Sequence, residues 1–357
     1  MSSVKSKGRS QQWGPRRRLR EPLFIMQEAI RAYGALKLSN DLSLSSLQSI
    51  KEHFAKPSRS YYSLAALSRR AHLDDTVRAE AYKLLFPLRV LLEERIVDAL
   101  RSVDRPMDTV LKVGCKSFFG KSIKQGLSIR YPLSTCVPTS HCGGRCYAHD
   151  GRDRDYQRVF RGALNGFVGL HYEGHPEDRA EILSRLSKQI DEVIALSRTE
   201  ALAAAEDGYI RSARIRFSHV GEMAATPNFA NDLARAIKTR APDVSCVIYT
   251  RHPDAASLDA ALFVVNFTVD GINDKRVEFL PANARLVSSS WDGKLFPEAV
   301  VNFLEHHVEK SSKSLGSGVA CPVTENHKEM PTCDSARCER CFVRLPSEIL
   351  ESRSSCK

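Results

Sequence analysis

The sequence predicts an α/β chain: a partial (β/α) barrel, with an all-helical basic domain before it and a cysteine-rich metal-binding segment after it. Three observations carry this. Short apolar runs alternate with amphipathic helical runs from about residue 106 to 312, the pattern of a parallel sheet covered on its outside. Ahead of them, apolar residues recur at three- and four-residue steps, with no run of strand type between. Behind them, residues 313–357 hold Cys321, Cys333, Cys338 and Cys341 within 21 positions, together with Cys356.

Taken in order, residues 1–21 read as a flexible basic arm containing Arg16, Arg17, Arg18 and Arg20. Residues 22–105 read as helical. "LSLSSLQSIKEHF" begins on a serine run suited to capping, and "TVRAEAYKLLFPLRVLLEERIVDALRSV" is periodic until Pro87, which is expected to split it into two helices. "SVDRPMD" (102–108) is the expected hinge into the barrel. Strands are expected at 127–133, 213–219, 244–250, 262–269 and 284–290. A long helix carrying Ile182, Leu186, Ile190 and Val193 on one face separates the first two strands. A second helix, 229–240, is stopped by Ala241-Pro242.

Composition narrows the function. The N-terminal stretch has no apolar core of a secretory signal, and no run approaches the roughly 20 apolar residues of a membrane span. A cytoplasmic protein with no membrane partner is expected. Ten cysteines in such a chain argue for metal or catalytic use rather than disulfides. The net charge of +11 is uneven: residues 1–130 hold 25 Lys and Arg against 12 Asp and Glu, and the remainder 28 against 30. That asymmetry fits a face for a polyanion such as nucleic acid, and equally a solvated basic tail with ordinary helix surfaces.

In a (β/α) barrel, chemistry gathers in loops after the C-terminal ends of strands. Here those ends carry "TCVPTSHCGGRCYAHD" (135–150), His219-Val220-Gly221-Glu222, Thr250-Arg251-His252, Asp270 and Ser288-Ser289-Ser290-Trp291. Cys136, Cys142 and Cys146, spaced C-x5-C-x3-C, match neither a redox C-x-x-C nor paired zinc knuckles. Three thiolates can hold three irons of a 4Fe-4S cluster and leave the fourth iron open. Zinc, with His149 as a fourth ligand, is the competing reading, and cysteines that hold no metal are the third. Cys321, Cys333, Cys338 and Cys341 form a second metal site, an auxiliary iron–sulfur cluster or structural zinc. Cys246, inside an apolar run, reads as core. "HYEGHPED" reads as a loop, because Gly174 and Pro176 oppose a helical His171/His175 metal pair. "FFGKSIK" lacks phosphate-loop spacing, and no dinucleotide fingerprint follows the first strand.

"YPLSTCVPTSHCGGRCYA", "RIRFSHVGE" and "CVIYTR" resemble the phage "gene product eighty-eight" family and related phage proteins with a three-cysteine loop ending in Cys-Tyr-Ala. These in turn resemble radical S-adenosylmethionine enzymes. The likeness covers about residues 110–345. It implies a barrel of radical S-adenosylmethionine type, with Cys136, Cys142 and Cys146 as cluster ligands and S-adenosylmethionine as cofactor. Gly221 and Glu222 would hold the methionine amino group, and Arg251, Asp270 and Ser288 would line the pocket. This loop is longer in both gaps than the usual C-x3-C-x2-C, and Val220 stands where the first glycine of a Gly-Gly-Glu segment would be. By residue type alone, Glu222 also suits the acid ahead of a helix N-terminus.

The expected function is therefore a radical S-adenosylmethionine-type iron–sulfur enzyme, reduced by an electron donor such as flavodoxin or ferredoxin. It would act on nucleic acid, or on a protein bound to it, through the basic N-terminal region. The alternative is a non-catalytic, metal-stapled nucleic-acid-binding protein of phage or mobile-element origin.

Overall fold

The computed structural model describes residues 22–40, 42–70, 73–111, 118–122, 126–139, 142, 146–149, 151–209, 211–270, 284–290, 299, 301–304, 319–320 and 341–342. The basic arm, Cys115, Cys321, Cys333, Cys338, Cys356 and Trp291 lie outside the described residues.

Three helices come first: α1 (Pro22–Leu38), α2 (Leu47–Leu67) and α3 (Asp75–Arg101). Ser46 caps α2 by accepting from Ser49 N at 3.2 Å, and Asp74 caps α3 by accepting from Thr76 N at 2.6 Å. Their buried faces follow the helical repeat: Ile25 and Ala29 on α1, Ile50, Phe54, Tyr61 and Leu64 on α2, Leu85, Leu88, Leu92 and Ile96 on α3. Pro87 does not split α3, against expectation. A proline inside a helix costs about 3 kcal/mol. Leu85, Leu88 and Leu92, buried on both sides of it, each gain about 1.5–3 kcal/mol only if the two halves stay collinear. The burial outweighs the lost hydrogen bond. After Arg105, in the left-handed region at φ 46°, the short α4 (Pro106–Thr109) leads toward the sheet.

The sheet has eight strands in sequential order. They are β1 (Phe119–Ser122), β2 (Gly126–Ile129), β3 (Arg214–Phe217), β4 (Ser245–Thr250), β5 (Phe263–Val269), β6 (Arg285–Ser290), β7 (Val301–Leu304) and β8 (Val319–Ala320). β1 and β2 form an antiparallel hairpin. From β2 to β8 each strand pairs in parallel with the next. With right-handed crossovers, strict sequential order places the connecting helices on one face, whereas a doubly wound sheet reverses its order part-way. The result is an open, singly wound α/β sheet. Among the described residues no pairing joins β8 back to β1 or β2.

Three helices cover the outer face: α5 (Tyr156–Gly174), α6 (Arg179–Glu206) and α7 (Pro227–Arg240). Ile182, Leu186, Ile190 and Val193 of α6 are buried as their spacing required. Outward strand residues Ile215, Phe217, Cys246, Ile248, Phe263, Val265 and Phe267 share one hydrophobic core with α1–α3 and α5–α7. Cys246 is plain core. On the concave face, Val247, Val264 and Val287 meet Cys341 and Phe342. The Arg214 guanidinium lies 3.7 Å from the Phe342 ring centroid, and Asn266 Nδ2 donates to Cys341 O at 3.0 Å.

α5 also corrects the reading of "HYEGHPED". The helix runs through Gly174, so His171 is helical, and His175 caps its end by donating its N–H to His171 O at 2.9 Å. Pro176 does not disturb this, because it starts the next helical turn, where proline's missing N–H is not needed.

Candidate metal and cofactor site

The loops after β2 and β3 are fastened together before any functional group is placed. His219 N donates to Ile129 O and Tyr131 N to Val220 O, both at 2.7 Å. Glu222 N donates to Thr135 Oγ1 at 2.9 Å. Gly221 makes this approach possible. Its φ is 75°, and a Cβ there would fall 2.5 Å from the carbonyl carbon of Tyr131 and 2.6 Å from its oxygen. Three residues earlier, Ser218 also occupies the left-handed region at φ 64°, and its Oγ accepts from Met223 N at 2.5 Å. The turn carrying Glu222 is therefore held in one shape.

Into this frame the structure brings most of the residues singled out in the sequence. Cys136 and Cys146 pack against Leu133, Ala148 and Val220, as do Phe86 and Val90 of α3. Cys142 N donates to Thr139 Oγ1 at 3.2 Å, and Thr139 Oγ1 in turn donates to Asp270 Oδ2. Arg251 Nη1 donates to the same oxygen at 2.9 Å. The backbone N–H of Arg251 reaches Glu222 Oε1 at 3.2 Å. A connected path thus runs from Cys142 through Asp270 and Arg251 to Glu222. Glu222 Oε2, also buried, has no hydrogen-bond partner among the described residues, while the nearby Thr250 hydroxyl lowers the carboxyl's pKa in part.

The electrostatics point one way. Burial pushes the Glu222 carboxyl up to about 7, and nearby Cys142 adds to the shift. Burial, then Glu222, pushes the Cys136 thiol well up. Cys146 is raised by its hydrogen bond with Cys142 and then by burial. Several acidic groups packed together resist ionising together. A cationic centre among them reverses that balance. The donor set is therefore of the kind that a cationic centre would stabilise.

His149 does not join the cysteines. Its Nδ1 pairs with Tyr61 Oη at 2.5 Å, its carbonyl accepts from Arg69 at 2.7 Å, and burial beside Arg89 and Arg69 holds its pKa down near 3. No three ligand atoms among Cys136, Cys142, Cys146 and His149 lie within 4.8 Å of one another. A single ion with bonds of about 2.0–2.3 Å needs closer convergence, whereas a cluster takes its thiolates on separate irons.

Ser288 is placed elsewhere. It pairs with Val269, which faces the outer core, so strand alternation turns Ser288 outward and Ser289 toward the concave side. Cys341 is buried on the concave face, while its three expected co-ligands lie outside the described residues.

The sequence did not reveal what the N-terminal helices contribute. Glu93, fully buried on α3, accepts from Ser134 N at 3.2 Å and is bonded to Arg89 one turn before it. Arg89 also donates to Asp153 O at 3.3 Å. Asp153 binds Arg130 at 2.6 Å and faces His219 at 3.3 Å. The hydrogen bond from His219, with Arg130 beside it, overcomes burial and holds the Asp153 carboxyl well below the usual carboxylate range. The available signal was an Arg–Glu pair four apart on the apolar side of "FPLRVLLEERIV".

Compared with protein-family models, with curated proteins and with solved structures, the chain matches none.

Proposed function

We propose that this chain is a radical S-adenosylmethionine-type iron–sulfur enzyme. The observation that carries the reading is the buried Glu222 Oε2, without a hydrogen-bond partner among the described residues, beside Cys136 and Cys146, whose thiols are both pushed up. Cys136, Cys142 and Cys146 would hold a 4Fe-4S cluster. When bound, the cluster and S-adenosylmethionine supply one-electron cleavage of the sulfonium bond. The protein's own part is binding and shielding. Glu222 accepts from the methionine ammonium, and Asp270 fixes Arg251, whose backbone orients Glu222. Phe86 and Val90, packed on the same apolar cluster as Cys136 and Cys146, would limit water at the loop. A reduced flavodoxin or ferredoxin is the fitting electron source, and a nucleic acid or a protein bound to one is the substrate class suggested by the basic first third. The C-terminal cysteines would hold a second metal, as an auxiliary cluster or as zinc.

The test pairs two readouts on Cys142→Ala. The reduced wild-type protein should cleave S-adenosylmethionine to 5′-deoxyadenosine and methionine. The variant should lose both this cleavage and the loop cluster's paramagnetic signal, while metal on the C-terminal cysteines persists. A variant with wild-type iron and an unchanged signal would remove Cys142 from the ligand set. A metal-stapled nucleic-acid-binding protein would show no cleavage in either form.

A further inference from the structure

A second group of metal-ligating side chains lies at the opposite end of α5 from the cysteine loop, roughly 25 Å along the helix axis. His171 and His175, four positions apart, project on one side of the helix end. Their rings stack with centroids 4.0 Å apart and planes 21° from parallel. Asp178, in the turn that begins α6, places Oδ2 2.7 Å from His171 Nε2. One ligand atom from each of the three lies within 4.8 Å of the others, and among the described residues this is the one such group.

An ion pair between His171 and Asp178 explains part of this arrangement, since a basic group suits a helix C-terminus. It does not explain the second imidazole. His175 is half exposed, at 50% of its side-chain surface, and Asp178 is 43% exposed. Both can therefore swing the short distance needed to close on an ion. Glu177, whose Oε1 is 3.2 Å from His175 Nδ1, adds an acid at the rim.

We propose that His171, His175 and Asp178 bind a divalent transition-metal ion of the zinc class. Two imidazoles and a carboxylate suit zinc, cobalt, nickel or copper and not the oxygen-seeking magnesium or calcium. The exposed side leaves a position for water. The bound ion ties the end of α5 to the start of α6 and so fixes the turn between two consecutive outer helices. The site is independent of the cysteine chemistry.

Cobalt(II) titration of the full chain tests this, because thiolate ligation gives sulfur-to-cobalt charge-transfer bands and nitrogen–oxygen ligation does not. The wild-type chain should take up one ion whose visible bands appear without charge transfer. His175→Ala and Asp178→Asn should each weaken that ion at least tenfold and leave any thiolate bands unchanged. Both positions are at least partly exposed, so the metal-free variants should fold, His175→Ala melting close to wild type and Asp178→Asn lower only by its lost ion pair. Cobalt uptake with thiolate bands alone overturns the site, and so does an unaltered titration of His175→Ala.

Discussion

Glu222 shows how little of a residue's role its type reveals. In the sequence it is an acid near a helix start. In the structure, one of its oxygens is held by the Arg251 backbone, and the other is buried with no hydrogen-bond partner among the described residues. Leaving a buried acceptor unsatisfied costs about 1–3 kcal/mol, a cost that a ligand ammonium removes. Glu222→Gln keeps the shape and removes the charge. S-adenosylmethionine affinity should then fall ten- to a hundredfold by calorimetry, since a charge-assisted hydrogen bond contributes about 1.5–3 kcal/mol. Unchanged binding would exclude Glu222 from the ammonium site. Gly221 differs in that its requirement is steric and local, whereas the sequence suggested only a part in holding a cofactor. Ser288 was misplaced for the reverse reason: which face of a strand a serine takes depends on register, and register is set by neighbouring strands.

α3 brings Phe86, Val90 and the Arg89–Glu93 pair to the cysteine loop, while α2 brings Tyr61, and the turn after it Arg69, to His149 across 88 and 80 positions of sequence. No periodicity announces a contact over that span. The strands were easier to read. β3, β4, β5 and β6 fall within the expected runs to one or two residues at each end, because runs buried on both faces are continuous and apolar. β7 has four residues and β8 two, too short for a pattern to stand out. Pro87 misled because propensity is local and the burial that overrides it is not. Asp153 ties this layer to β2 and β3 through Arg130 and His219, and that pairing makes stability depend on pH. Its carboxyl is depressed in the fold, so the stabilisation is present above the unfolded value near 3.9 and is lost as pH falls through the folded one. Asp153→Asn should lower the melting temperature at pH 7 and flatten its decline in acid. A parallel downward shift at every pH would contradict this role.

Across the whole chain, charge and core tell different stories about the first third. Residues 1–130 hold all of the positive excess, yet α1–α3 share one hydrophobic core with the sheet and its outer helices. A basic module free to act alone is not what that core describes. Four to six phosphate contacts on duplex DNA predict a log–log salt slope of about −4 to −5. Replacing Arg16, Arg17, Arg18 and Arg20 together should flatten it by up to about 3.6 without changing metal content. Binding that ignores salt would assign the basic region to another partner. Among the described residues no helix is long and apolar enough to cross a membrane.

Everything proposed for the loop rests on what its three thiols hold. Purification without oxygen, followed by assay of iron, acid-labile sulfide and zinc per chain, addresses that directly. The account predicts at least about four iron and four sulfide per chain, with that amount lost in Cys142→Ala and any zinc confined to the C-terminal cysteines or the His171 site. Zinc on the loop with no iron and no sulfide would contradict it.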